Sequence, residues 1–189
     1  EIISVGTEIL LGEIVDTNAS WIASRLPALG LDLYFKSVVG DNLDRVVDTI
    51  ERGLQRSDVL IMTGGLGPTD DDLTREAIAA ALGEAPFIDE DMARALRGFF
   101  EGRGLTFPER NLKQAALIAS ASPILNPRGT APGWWVEKTL PDSGDRYIIA
   151  MPGVPQEMYR MWEKEVSPRL LEIAGNRWEI SIPKLGSLL

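Results

Sequence analysis

The sequence contains no cysteine and no histidine. The first absence rules out a disulfide framework, a thiolate nucleophile and cysteine-ligated zinc. The second removes the imidazole base of Ser-His catalysis. General-base work is left to Asp, Glu or Lys. A bound metal would be an oxygen-liganded ion of the magnesium or manganese type. Basic residues are also scarce: 19 Lys+Arg against 28 Asp+Glu give a formal net charge of −9. A general nucleic-acid surface needs the opposite balance, so no nucleic-acid partner is expected. There is no apolar run long enough to span a membrane and no signal-peptide pattern. The expectation is a cytoplasmic protein with no membrane partner.

What is present is enough apolar sequence for a core. The chain has 189 residues, 44% of them hydrophobic, which suits one generous domain. Apolar runs at 1–6, 31–40, 58–65 and 146–153 predict strands. Over 16–30, Ala19, Ile22, Leu26 and Leu29 share one helical face, with Asp16 or Thr17 as cap and Gly30 as stop. Leu43, Val46, Val47, Ile50 and Leu54 recur at helical spacing over 41–57. Further helices are predicted over 70–82, around Met92, Leu96, Phe99 and Phe100, weakly over 108–118, and over 154–175 with a break before Pro168. Residues 126–138 form a turn-rich loop entering a short strand. Residues 176–189 fit an extra strand or the start of a linker. The alternation of strands and helices predicts an α/β domain with a largely parallel sheet.

In such a sheet, ligands collect at the carboxyl ends of the strands. Four segments near those ends carry unusual residues: "GTEILLGE", "TGGLGPTDDD", "NPRGTAPG" and "MPGVPQE". Thr63, Gly64, Gly65 and Gly67 open a loop whose backbone amides can approach an anion, with a helix N-terminus beyond. The spacing matches neither a Walker A loop nor the Rossmann fingerprint. The same loop also fits a tight strand-to-helix turn. Asp70, Asp71 and Asp72 follow at once. Neighbours on a helix diverge by about 100°, so the three cannot share a direction. One can cap, with Thr69 or Asp70 the candidates, one can face solvent and one can face the pocket. Acid beside an anion loop is contradictory unless a cation sits between them or the acid binds sugar hydroxyls.

Glu8 lies near the end of the first strand. Asp16 and Asn18 suit helix capping as well as a site, and Glu13 suits solvent. Arg128 offers a planar donor for phosphate, or a partner for an acid. Lys113 suits a solvated helix face. Trp134 and Trp135 suit core packing, with stacking on a base as the alternative. Met158, Met161 and Trp162 suit the core.

Four ordered segments, "SVGTEILLGEIVDTN", "TGGLGPTDDDLTREA", "NPRGTAPGWW" and "MPGVPQEM", resemble the amino-terminal domain of the competence/damage-inducible CinA family. That domain is similar in turn to the molybdopterin-binding domains of MogA, MoaB and MoeA. The resemblance covers residues 1–175, with 176–189 a tail or linker. It implies a three-layer α/β/α sandwich with a mainly parallel, mixed sheet. It places a phosphate on the glycine-rich loop, and the acid of the relatives' adenylylation chemistry falls on Asp72. Where those relatives carry Asp-Glu after the first strand, this chain has Thr7-Glu8.

For the CinA-like domain the resemblance implies a metal-dependent ADP-ribose pyrophosphatase yielding AMP and ribose 5-phosphate. Asp72 and Glu8 are the expected catalytic residues and the expected ligands of a divalent cation, magnesium, manganese or cobalt, with potassium as a further ion. Binding is assigned to Thr7, Asp16, Asn18, Thr63, Gly64, Gly65, Gly67, Asn126, Arg128, Gly129, Thr130 and Gly153. No Nudix-like helix is present, so hydrolysis would use a different site. The alternative is a nucleotide- or pterin-binding module without hydrolysis, part of a protein with a separate nicotinamide-nucleotide amidase domain. Residues 176–189 leave no room for that domain. A homo-oligomer, dimer or trimer, is expected.

Overall fold

Strand β1 (Ile2–Val5) is apolar throughout and buried at every position. It pairs in parallel with β2 (Lys36–Val39) on one side and β3 (Val59–Thr63) on the other. Beyond β3 lies β8 (Gly144–Met151), also parallel. Two antiparallel strands close the sheet, β7 (Gly133–Leu140) against β8 and β6 (Ala121–Ile124) against β7. The order is β2-β1-β3-β8-β7-β6. The computed structural model describes residues 1–141 and 143–181.

Alternation within the strands splits the core in two. Ile3, Leu60, Met62, Ile148, Trp134 and Val136 face one layer. There they meet Val46, Ile50 and Leu54 of α3 (Leu43–Arg56) and Ala77 and Ile78 of α4 (Thr74–Leu82). Ile2, Ile61, Ile149, Met151 and Trp135 face the other. That layer holds Ala19 and Ile22 of α2 (Thr17–Ala23), and Met158 and Met161 of α6 (Pro155–Met161). Leu170 of α7 (Ser167–Ser181) joins them. The adjacent tryptophans 134 and 135 thus enter opposite cores, and the three-layer α/β/α expectation is met. The ring nitrogen of Trp134 donates to the Ala116 carbonyl at 3.0 Å.

Several predicted elements change shape. Helix 16–30 stops at Ala23 and gives way to a 3₁₀ turn, Leu26–Leu29, because Pro27 lacks an N–H and resists the α ladder. All four face residues are still buried. Strand 31–40 starts only at Lys36, since β2 is an edge strand with one neighbour. Helix 70–82 starts at Thr74, and neither Thr69 nor Asp70 caps it. The break before Pro168 becomes a π-helical turn, Trp162–Val166, that keeps Trp162 and Val166 buried and leaves Pro168 in the first turn of α7. The weak helix of 108–118 is a 3₁₀ turn, Glu109–Ala115, followed by β5 (Ala116–Leu117). That strand pairs antiparallel with β4 (Phe87–Ile88). The short strand after 126–132 has eight residues. A one-turn helix, α1 (Thr7–Leu10), stands where a loop is expected. Ala93 and Leu96 of helix α5 (Glu90–Glu101) form a small third core with Ala115 of the Glu109–Ala115 3₁₀ turn. Of the tail, 176–181 extend α7; residues 182–189, where a strand or linker is expected, lie outside the described residues.

One backbone contact sets the sheet's functional edge. Gly64 has φ +97°, and a Cβ there would run into the carbonyl oxygen of Val5. Gly64→Ala is therefore expected to destabilise the fold by about 2 kcal/mol or more in urea denaturation. Gly12 has φ +75° but open space around it, so Gly12→Ala should cost only the backbone strain, about 1 kcal/mol.

Candidate functional site

β1, β3 and β8 run side by side in one direction, so their carboxyl ends meet at one edge. β7 runs the other way and begins there. Loops 6–18, 64–73, 126–132 and 152–155 therefore converge. The chain passes from β1 outward to β2 and returns to β3, which makes the β1/β3 boundary a switch point. A cavity of about 650 Å³ opens on it.

Of the expected site residues, Glu8, Asp16, Asn18, Thr63 and Thr130 line this cavity, as do Gly64, Gly65, Gly67, Asp72 and Gly153. Four others do not. Thr7 and Asp41 bond each other: the Thr7 amide donates to Asp41 Oδ2 at 2.8 Å, and the Asp41 amide to Thr7 Oγ1 at 3.0 Å. Asp41, not Thr7, reaches the cavity. Arg128 is exposed and donates to Gln156 Oε1 at 3.2 Å. Asn126 uses its Nδ2 on Glu157 Oε2 at 2.6 Å and on the Ala131 carbonyl at 3.0 Å. Gly129 lines a different cleft.

The walls are tied to one another. Asp16 caps α2 through the Ala19 amide at 2.9 Å and accepts the Ser4 hydroxyl at 2.5 Å. Asn18, buried, donates to the Gly153 carbonyl at 2.8 Å, joining the β1 and β8 loops. The Gly64 amide donates to Met151 at 3.1 Å. Thr74 sends its hydroxyl to the Gly64 carbonyl at 2.8 Å and its amide to Gly65 at 3.1 Å. The first amide of α4 is thus satisfied by the glycine loop itself.

Two cations hold the acidic loop. Lys113 is not a solvated charge. Its ammonium donates to the carbonyls of Thr69 at 2.8 Å and Asp72 at 2.7 Å, and pairs with Glu76 at 3.1 Å. Arg75 is 3% exposed and donates to the carbonyls of Leu66 at 2.8 Å and Pro132 at 2.7 Å. Burial pulls its pKa down to about 10, opposed by the charges of Glu76 and Asp72, so it stays cationic at neutral pH. The Asp72 carboxylate turns inward onto Gly67, where a Cβ would collide with it. Burial alone would raise its pKa. Bonds from the Thr69 side chain (2.6 Å) and amide (2.9 Å), from the Gly67 backbone, and the Lys113 charge overcome that and lower it. Asp70 and Asp71 are exposed, with Asp71 at the cavity.

Sequence reasoning also missed Asp41, Gln114 and Glu157 in the cavity wall, and Arg75 behind it. Gln114 sits in a segment with no local signal. Arg75 and Glu157 lie inside "TGGLGPTDDDLTREA" and "MPGVPQE", but nothing local in those segments marks their contacts.

Among the described residues no group of three or more acids is placed to hold a metal. The Glu8 side chain folds back against Gly6, and its carboxylate accepts no hydrogen bond from the described residues. Single carboxylates of this kind fit a hydrated hard cation that arrives on a ligand's phosphates, which needs one or two protein carboxylates.

Comparison with known proteins agrees with this architecture. Residues 1–172 match the family described as probable molybdopterin binding domain. A CinA-like protein of Deinococcus radiodurans is 54% identical over 170 residues, 90% of this chain and 42% of that protein. A CinA-like protein of Thermomicrobium roseum is 48% identical over 174 residues, 92% of this chain and again 42% of the relative. The chain thus spans about two-fifths of these relatives' length. A crystal structure of CinA from Thermoplasma acidophilum, described as of unknown function, superposes with TM-score 0.77 at 37% identity, over 88% of this chain and 96% of that one. MoaB of Thermus thermophilus shares the fold at TM-score 0.58 and 19% identity, over 93% and 94% of the two chains. The chain belongs to the family of probable molybdopterin-binding domains, as a CinA-like protein.

Proposed function

We propose that the domain hydrolyses the diphosphate bond of ADP-ribose to AMP and ribose 5-phosphate, using magnesium, manganese or cobalt. The observation that carries this reading is the pairing of opposites in one cavity. Backbone suited to an anion, Gly64 to Gly67, backed by the buried Arg75 charge, faces the unpartnered carboxylate of Glu8. The resemblance to CinA-like proteins supplies the substrate.

The glycine loop would hold the diphosphate, and the fixed Arg75 guanidinium would add positive potential behind it without touching it. Glu8 and Asp72 would hold the cation, which when bound polarises a phosphoryl oxygen and acidifies a water. Water forms a bond to one phosphorus while the bond from that phosphorus to the bridging oxygen breaks. The water's proton goes to Glu8, and the bridging oxygen leaves with the second phosphate. Asp72, kept ionised by Thr69, is a poor proton acceptor and a steady negative charge. Asp16 and Asn18, both tied to backbone or side-chain partners, shape the wall near the ribose.

A second reading is supported by Arg128 standing outside the cavity and by Thr7 in place of a second acid. It is a nucleotide- or pterin-binding module without hydrolysis. Incubation of the protein with ADP-ribose and each metal, followed by chromatography, separates the two. AMP formed only with metal, and reduced about a hundredfold or more in Asp72→Asn, is the expected result. Calorimetric binding without AMP under any metal selects the module.

Asp72 also predicts a pH dependence. Its folded-state pKa is lowered, so its contribution to stability is present above the unfolded carboxylate value of about 3.9 and is lost as pH falls through the folded value. Wild type should exceed Asp72→Asn in urea stability at pH 6, and the gap should close progressively below about pH 4.

A further inference from the structure

The proposed cavity has no aromatic side chain in its wall among the described residues. Its apolar part is aliphatic, chiefly Ile9, Ile14, Val15 and Val154. A planar heterocycle gains most from an aromatic or sulfur-bearing partner. Trp134 and Trp135, the stacking alternatives in the sequence, are 0% and 2% exposed and closed to any ligand.

A second cleft, about 220 Å³, lies between α5 and the loop before β7. Met92, Leu96 and Phe99 of α5 line it, facing Leu125 and Pro132. No charged side chain takes part. Thr130 lines this cleft and the main cavity alike, so the two adjoin at that residue. The loop is shaped without a ligand: Asn126 Oδ1 accepts the amides of Arg128 at 3.1 Å and Gly129 at 2.9 Å. Leu125 is 66% exposed, an apolar side chain that no core accounts for. The volume lies below that of a site for a whole nucleotide and suits one flat ring.

We propose that this cleft is the subsite for the purine ring of the ligand whose phosphates occupy the main cavity. The inference rests on the reading of that ligand as a nucleoside diphosphate derivative. The ring lies against Phe99 and Met92, with Leu125 covering it and Thr130 at the junction with the ribose. Because the lining carries no charge, it selects by shape and stacking, favouring purines over pyrimidines more than one purine over another.

The test uses the wild-type protein and 8-azido-ADP-ribose as photolabel, with and without excess ADP-ribose, followed by peptide mapping. Label on 91–99 or 125–132 that ADP-ribose suppresses is expected. Suppressible label confined to 9–18 or 154–157 overturns the subsite and leaves the nucleotide reading standing. No suppressible label anywhere overturns both. Leu125→Asp, at an exposed position, should raise the Kd of AMP about fivefold or more by calorimetry and leave that of inorganic pyrophosphate unchanged. Equal AMP affinity in variant and wild type also overturns the subsite. These are binding readouts, so an absence of AMP production would count against hydrolysis without deciding the subsite.

Discussion

A guanidinium removed from water holds the functional edge together. Arg75 forms no ion pair among the described residues; it spends its donors on the carbonyls of Leu66 and Pro132, and its Nε has no partner. Burying a charge on carbonyl dipoles alone is costly, and the structure retains it where two loops must be kept at one distance. Leu66 belongs to the loop after β3 and Pro132 to the loop before β7. Through these two bonds Arg75 ties both loops to α4, where Ala77 and Ile78 share a core cluster with Leu66 and Ala131.

The same arrangement accounts for acid beside an anion-binding loop. Asp72 is folded against Gly67 by Thr69, and Lys113 grips the carbonyls on either side of the bend. The carboxylate of Asp72 therefore closes the loop onto itself. Its charge is balanced by Lys113 and Arg75, so the amides of the glycine loop do not face a bare negative field. The carboxylate of Glu8, at the end of β1, has no such partner among the described residues. The two acids paired by the resemblance are thus in different electrostatic states, one engaged and one open.

The layers position these groups with little freedom. β1, β3 and the carboxyl half of β8 are buried on both faces, and their carboxyl ends are in register within the parallel ladder. A Cβ at Gly153 would touch the Cα of Gly64 at 3.5 Å, so the β8 loop rests directly on the β3 loop. Asn18 then bonds Gly153 from the β1 side. Each wall of the cavity is braced by a neighbouring wall.

The apolar runs and helical spacings determined the α/β class, because burial on two faces demands continuous apolar strands and one-sided helices. Ala19, Ile22, Val46, Ile50 and Met158 were legible as core for that reason, as was the grouping of Glu8, Asp16, Asn18 and the glycine loop at strand ends. Helix starts were not: α4 begins at Thr74 because the Thr74 amide bonds Gly65, a contact across a loop that no local pattern encodes. Lys113 looks like an ordinary surface lysine until the acidic loop, some forty residues earlier, is laid against it. Arg128 looks like a phosphate ligand until its guanidinium is found on Gln156 Oε1, outside the cavity. Which residues are apolar, which are acidic and where the chain turns follow from the order of residues alone. Which charges meet is settled in three dimensions, because long side chains find their partners across strands and loops, not along the chain.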